Sequence, residues 1–551
     1  MKTPDSQVIE GGAAEEEMGV MEEKGGDRKI EEGQEMDAVK AVEGEKKEVE
    51  VVVEASQSLA QSQPPAERSV TRLQAQHPVT PIQVVPHGAS PPTAGGAAAA
   101  AFQQTRAPPQ VALASLNSRA YTNRISLALF VLHLVVVAAA VCFFVFKAVQ
   151  GVVDVGSDTA RKEKRGLKFW LPPIECSAVL SMILAFAWQK AVRLWPGVMV
   201  HFVLWSTFGF TMSAGILLLC FSLPSTAGMG VALIGFSIGT GLYACWVTRR
   251  IGFTARVFHL ALLPAAKFRH LNGPTYLMLA AGFLWISLWC LAVIGALNFY
   301  YPPLTIIALV VSLAWTAEVM RNVANLTVSR VIALYYLRGM QSDINFSFQR
   351  AISINLGSAS LGSFFVPSIE ALRIIARGLN LLEGEDEFLF SCAHCCLHVM
   401  ESIFRNGNSW AFVHIAAYGK GFVEASRSTW GLFERQRMEE LADSDITSAI
   451  CFLSGVCSGA ICVIFAASWT FSSYRKYTAT VSLLVFFVGY LMTRIGMALP
   501  HACVACYYVC YAENPGSRLF DSTIPDRLKM IETGREAVVS TPRFPRRVPR
   551  T

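Results

Sequence analysis

The sequence predicts an all-α, polytopic transmembrane helical bundle of about ten helices, preceded by a disordered N-terminal tail. Of the 551 residues, 53% are hydrophobic and 16% are charged, whereas about 25% of a typical soluble domain is charged. The apolar residues stand in long uninterrupted blocks, and a helix that crosses a bilayer needs about 20 such residues. Because these blocks are apolar throughout and do not alternate with polar residues, they exclude a transmembrane β-barrel.

The first 120 residues have the composition of a disordered cytoplasmic tail. Residues 10–54 are acidic and rich in glycine, and residues 55–110 are rich in Pro, Ser, Gln and Ala. Such segments bury too little apolar surface to offset the conformational entropy lost on folding. We therefore divide the chain into a disordered tail, 1–120, a transmembrane domain, 121–512, and a basic cytoplasmic tail, 513–551.

Ten apolar blocks account for the predicted helices of the transmembrane domain. Two of them are weaker: 174–192 is interrupted by Gln189 and Lys190, and 410–423 contains His414 and Lys420. The segment 174–192 either spans the bilayer or forms a re-entrant loop. The eight clear blocks are 125–146, 197–222, 227–247, 274–297, 303–320, 352–376, 446–471 and 478–499.

A polar stripe continues the apolar block 303–320 and supplies the candidate substrate-binding residues. They are spaced three, four, three and four residues apart, which places them on one helical face; they are Trp315, Glu318, Asn322, Asn325 and Ser329. One interpretation is a helix that leaves the membrane, with Glu318 paired to Arg321. We favour the other, in which the stripe lines a substrate path, since an ionisable residue in a spanning helix usually has a function.

The sequence contains no motif that points to catalysis, a cofactor or nucleic acid. Nucleotide-binding loops, kinase signatures and metalloprotease motifs are absent, so we expect a protein that is not an enzyme and needs no cofactor. A cluster of cysteines and histidines at 392–398 lacks the second half of a zinc site, so helix packing is the favoured interpretation and no metal is predicted. Basic residues lie mostly beside apolar blocks, where they set topology and meet anionic lipid.

Four stretches of the C-terminal half, in the right order, resemble the choline transporter-like family. They are Glu318-Val-Met-Arg-Asn322-Val with Thr327-Val-Ser329; Ser353-Ile-Asn-Leu-Gly357-Ser358-Ala-Ser-Leu-Gly362-Ser363; Cys395-Cys396 with Asn406-Gly-Asn408 and Ala416-Ala-Tyr418-Gly419-Lys420-Gly-Phe422; and Cys510-Tyr-Ala-Glu513-Asn514-Pro515. The resemblance implies about ten helices, both tails in the cytoplasm and transport of choline or a related amine. The short loop between the first two blocks is closer to the fungal and plant branches than to animal relatives.

We therefore expect a multi-pass transporter, most simply of the plasma membrane, that moves choline or a related organic cation by facilitated or exchange transport. Its expected partners are the small cation and the lipid bilayer, and not nucleic acid. Aromatic side chains could hold a quaternary ammonium group by cation–π attraction. The alternative is a membrane scaffold or trafficking protein that transports nothing and works through its tails.

Overall fold

The computed structural model describes residues 121–153, 168–297, 299–382, 399 and 402–533. The predicted disordered tail 1–120 and the cysteine–histidine cluster 392–398 lie outside these residues. Within them every regular element is a helix, so the predicted all-α class is confirmed. The α-helices are α1 Arg124–Val153, α2 Leu171–Leu194, α3 Pro196–Cys220, α4 Pro224–Val247, α5 Ile251–Lys267, α6 Gly273–Ala296, α7 Pro302–Arg338, α8 Ile344–Ile352, α9 Leu356–Leu382, α10 Ala411–Tyr418, α11 Phe422–Gln436, α12 Glu439–Ser444, α13 Thr447–Tyr474, α14 Thr478–Gly496, α15 Ala498–Glu513 and α16 Thr523–Glu532.

Seven helical runs in the described residues are long and apolar enough to cross a membrane, and an eighth is added if the bent pair α8–α9 is one span. The weaker block 174–192 lies within α2, which is continuous for 24 residues. Its Gln189 is buried against the bundle and its Lys190 is exposed. Thus α2 has the length and composition of a full span.

The run Glu439–Gly496 contains two crossings. Its 58 residues would extend about 87 Å as one helix, far more than the roughly 30 Å hydrocarbon core of a bilayer. Instead α13 and α14 pack antiparallel: Gly455 lies against Tyr490 and Arg494, and Gly459 lies against Phe486 and Gly489. Close contact between small residues is the usual way in which helices pack in lipid.

The weaker block 410–423 does not form a continuous span. Its helix, α10, has eight residues and is therefore about 12 Å long. It ends at Gly419, whose φ of 68° is left-handed, a conformation that glycine adopts without steric cost. The chain then starts again as α11, so this block adds a buried half-helix to the bundle.

The long helix α7 lies at the centre of the bundle and packs against α6, α8, α9, α10, α14 and α15. From Thr316 to Leu334 nearly every side chain is buried. By contrast, α1 is peripheral: 22% of its apolar window is buried, against 72% for the run Glu439–Gly496. A bilayer solvates such exposed apolar side chains, so α1 presents much of its surface to lipid.

The start of α1 is fixed by a bend between α8 and α9, which meet at 67°. The backbone N–H of Thr122 donates to the carbonyl oxygen of Ile354 at this bend. A Cβ atom at Gly357 would lie 2.3 Å from the carbonyl oxygen of Thr122, so only glycine permits this approach. The contact brings the first turns of α1, the first turns of α9 and the middle of α7 together.

Part of the predicted basic tail 513–551 is ordered against the bundle. The described residues continue to Thr533 and include α16, whose Ile524 and Arg527 are buried. The hydroxyl of Tyr507 donates to Asp521 at 2.8 Å, and the Asp521 carboxylate also accepts from the backbone N–H of Thr523. The Tyr507 bond attaches the residues that follow α15 to the side of α15.

Candidate functional site

The five candidate residues of the polar stripe lie against three neighbours of α7. At about 100° per residue, Trp315 and Asn322 lie on one edge of the stripe, and Glu318 and Asn325 lie on the other. Accordingly, Trp315 and Asn322 contact α9, whereas Glu318 contacts α14 and Asn325 contacts α15. The structure therefore divides the stripe between α9 on one side and α14 with α15 on the other.

Glu318 is held by two arginines in the interior of the bundle. One carboxylate oxygen lies 2.6 Å from a guanidinium nitrogen of Arg321, and the other lies 3.1 Å from a nitrogen of Arg494 on α14. The side chain of Glu318 is 10% exposed, and those of the two arginines are 8% and 11% exposed. The carboxylate thus ties α7 to α14 and is already neutralised by protein cations.

Asn325 and Ser329 form a short hydrogen-bonded chain towards α15 and α13. The hydroxyl of Ser329 donates to the side-chain oxygen of Asn325 at 3.0 Å. The Asn325 amide nitrogen is 3.4 Å from Nδ1 of His501, whose Nε2 is 3.4 Å from the hydroxyl of Ser448. This chain uses the polar groups of the stripe to join three helices.

Asn322 points to α9, where its amide nitrogen donates to the hydroxyl of Ser363 at 2.8 Å. Its side-chain oxygen is buried and has no hydrogen-bond partner among the described residues. An unpaired buried acceptor costs about 1–3 kcal/mol. Asn322 is therefore the member of the stripe that retains an unused polar atom inside the bundle.

Trp315 is half-buried in a cluster of aromatic side chains from α1 and α9. Its ring lies 4.5 Å from that of His133, 5.3 Å from that of Phe130 and 5.6 Å from that of Phe364. The indole N–H donates to the carbonyl oxygen of Ser360 at 3.1 Å, which fixes the orientation of the ring. The face of the indole is thus held in a defined position.

A cavity of about 610 Å³ opens beside this indole, between α1, α7 and α9. That volume is within the range of ordinary small-ligand sites. Glu318 is not among the residues that line the cavity. The lining residues are Asn123, Arg124, Ile125, Ser126, Leu129, Trp315, Ser360, Leu361, Phe364 and Phe365.

Comparison with known proteins assigns the chain to a family. A family model described as "plasma-membrane choline transporter" matches residues 231–516, just over half of the chain. The chain belongs to the choline transporter-like family. The predicted resemblance is therefore confirmed, and with it a multi-pass membrane protein.

Curated relatives in this family are distant. A CTL-like protein of Dictyostelium discoideum is 24% identical over 303 residues, which cover 52% of this chain and 53% of the relative. Protein PNS1 of Yarrowia lipolytica is 31% identical over 176 residues, 30% of each chain. Protein PNS1 of Mycosarcoma maydis is 24% identical over 216 residues, 36% of this chain and 41% of the relative. The chain thus spans about half or less of the length of these relatives.

Two of the stretches that resemble the choline transporter-like family meet at one end of the bundle. Tyr418, at the end of α10, donates its hydroxyl to the carboxylate of Glu513, at the end of α15. Nε2 of His414 lies 3.0 Å from the other oxygen of Glu513. Burial would raise the pKa of Glu513, but hydrogen bonds and charge from His414, Tyr418 and Lys420 outweigh it and lower this pKa. Glu513 is therefore an ionised link between the two helices.

Several residues of the site were not selected from the sequence. The stripe pointed to Trp315, but not to Phe364, Phe365 and Arg124, which share its cavity. No local spacing connects α1 with α7 and α9, because α1 lies far from both in the chain. Arg494 did carry a signal, since it is a charged residue in an apolar block, but its partner Glu318 is 176 positions away.

Proposed function

We propose that this protein carries choline or a related organic cation across a membrane by facilitated or exchange transport. Membership of the choline transporter-like family supports the transporter role. The observation that supports a cationic substrate is the fixed indole of Trp315 at the wall of a cavity. The face of an indole attracts an ammonium group through its quadrupole, and it does so most strongly when the cation is desolvated.

Within this proposal, the five stripe residues act in two ways. Trp315 contacts the ammonium group directly. Glu318, Asn322, Asn325 and Ser329 form the polar side of the route in the interior of the bundle. In the structure, two arginines form ion pairs with the carboxylate of Glu318. We therefore propose that this carboxylate can bind a cation only in a second conformation, in which the contact with Arg494 is broken. In this proposal, the ion pair between Glu318 and Arg494 breaks and re-forms during one step of alternating access.

The proposed location is the plasma membrane, where a carrier of a small external cation supplies the cell directly. Localisation of the full chain by fluorescence, beside a plasma-membrane marker and an endomembrane marker, tests this location. Accumulation in an internal membrane alone would contradict it.

Uptake of labelled choline into proteoliposomes tests the transport activity. Wild-type protein should give saturable uptake above that of empty vesicles. Trp315→Ala should raise KM by about three- to thirtyfold, because it removes a cation–π contact of about 0.5–2 kcal/mol. Trp315→Phe keeps a ring and should have a smaller effect.

Trp205→Ala is the matched control, since Trp205 is 48% exposed and lies on α3, away from the cavity. This variant should transport as the wild type does. Uptake equal to that of empty vesicles for choline and several related amines would refute transport. Equal losses in the two alanine variants would remove Trp315 from the substrate site.

A further inference from the structure

The cavity beside Trp315 offers an aromatic face to a cation, but its walls hold no counter-charge. None of its lining residues is acidic, and the charged residue among them is Arg124. Arg124 is exposed and forms no ion pair within the part of the chain that the structure describes. A small organic cation alone would therefore meet a like charge at the mouth of the cavity, without a counter-charge in its walls.

The other polar groups of the lining already have hydrogen-bond partners within the protein. The hydroxyls of Ser126 and Ser360 are 2.9 Å apart, and the carbonyl oxygen of Ser360 accepts from Trp315. The side-chain oxygen of Asn123 accepts from the hydroxyl of Ser358 and the backbone N–H of Phe422. The guanidinium of Arg124 is consequently the strong donor that remains for a ligand, and it suits the oxygens of a phosphate group.

The outward wall of the cavity is apolar. Ile125, Leu129 and Phe364, which line it, are 81%, 57% and 53% exposed. On a peripheral spanning helix such side chains face the acyl chains of the bilayer. Arg124 is the first residue of α1, where a basic side chain reaches the headgroup layer. Phe130, which touches Trp315, lies about 9 Å deeper along the helix axis.

We propose that this cavity binds the headgroup of a membrane phospholipid that carries choline, with the phosphate on Arg124 and the quaternary ammonium on Trp315. The placement of the ammonium group rests on the proposed function; the placement of the phosphate and of the acyl chains does not. The phosphate resolves the charge mismatch, because it gives the cation a counter-charge and Arg124 a partner. The acyl chains lie against Ile125, Leu129 and Phe364 and continue into the bilayer.

Native mass spectrometry of the purified full-length protein, titrated with defined lipids, tests this site. Phosphatidylcholine should be retained in preference to phosphatidylethanolamine and to phosphatidylglycerol. Arg124→Gln should weaken retention of phosphatidylcholine by about tenfold, because it removes a charge-assisted hydrogen bond. Phe364→Leu should reduce the preference for choline over ethanolamine by about two- to fivefold, because the ring of Phe364 packs edge-on against Trp315 and helps to hold the indole that faces the ammonium group.

Two variants serve as matched controls. Arg249→Gln removes an exposed arginine at the end of α4, and Phe236→Leu removes a 39% exposed phenylalanine from α4. Both should bind phosphatidylcholine as the wild type does. Because the four substituted side chains are exposed, or about half exposed, these variants should fold normally.

Three results would overturn the proposal: equal retention of the three lipids, an equal effect of Arg124→Gln and Arg249→Gln, or displacement of the lipid by free phosphocholine at an equal concentration. Displacement by free phosphocholine would show that the cavity binds a soluble zwitterion and does not require the acyl chains of a lipid. Choline uptake measured on the same preparations keeps the two proposals apart. Normal choline uptake without a lipid preference would refute the lipid site and leave the transport function intact. A lipid preference without choline uptake would refute the transport function and leave the lipid site intact.

Discussion

At the scale of single residues, the stability of the bundle interior depends on whether Glu318 stays paired. Removing the carboxylate leaves Arg321 and Arg494 buried without their common counter-charge. Loss of one partner from a buried ion pair costs about 3–5 kcal/mol, because the remaining charge is uncompensated. Glu318→Gln should therefore lower the temperature of thermal unfolding in detergent markedly, with a reduced yield of folded protein.

A double-mutant cycle isolates the pair. Glu318→Gln combined with Arg494→Gln should cost less than the sum of the two single changes, since the second removes a charge that the first left unpaired. Glu424→Gln, at an exposed position of α11, should change stability by under about 0.5 kcal/mol. Full stability of Glu318→Gln together with weakened cation uptake would instead place Glu318 at the substrate.

The sequence indicated which polar residues lie inside the bundle, but not which distant residues they contact. The spacing of Glu318 and Arg321 indicated a local pair, and the structure contains it at 2.6 Å. Arg494 stood out as a charge in an apolar block, yet a long-range partner cannot be inferred from helical spacing. For the same reason, helical spacing identified Trp315 as a member of the stripe but not the cavity around it, which depends on the packing of α1 against α9.

At the scale of helices, glycines with the same sequence signature have different roles. Gly235 and Gly239 on α4 have open space where a Cβ would point. At Gly489, in contrast, a Cβ would lie 2.9 Å from the backbone of Gly459 and 3.0 Å from that of Ser458. Glycines are visible in the sequence, but the sequence cannot tell a glycine at a helix contact from one that faces lipid, because that depends on the neighbouring helix.

This difference gives a paired prediction. Gly489→Ala should destabilise the α13–α14 contact by about 1–3 kcal/mol, since overpacking forces the helix backbones apart. Gly235→Ala should be neutral or stabilising by up to about 1 kcal/mol, because alanine has the higher helix propensity and meets nothing. Thermal unfolding of the two variants in one detergent compares them directly. Equal stability of the two variants would contradict the close packing of these helices.

At the scale of the whole molecule, α10 and the end of α15 are joined through one ionised side chain. Glu513 lies beyond the last of the candidate spans, and it connects stretches of chain almost one hundred positions apart. The helix α7, which carries Trp315 and Glu318, contacts both α10 and α15.

The lowered pKa of Glu513 makes this link sensitive to acid. Its pKa lies below the ordinary 4.5, so its unfolded form takes up a proton before its folded form does. The stabilisation is complete above about pH 4.5 and is lost as the pH falls through the lower folded-state pKa. Wild-type protein should therefore lose thermal stability in that acidic window. Glu513→Gln should be less stable than the wild type at neutral pH, and its thermal stability should depend less on pH in the acidic window. Glu424→Gln should show the same pH dependence of stability as the wild type. If the profile of Glu513→Gln ran parallel to that of the wild type, the ionised link between α10 and α15 would not contribute to the acid dependence of the fold.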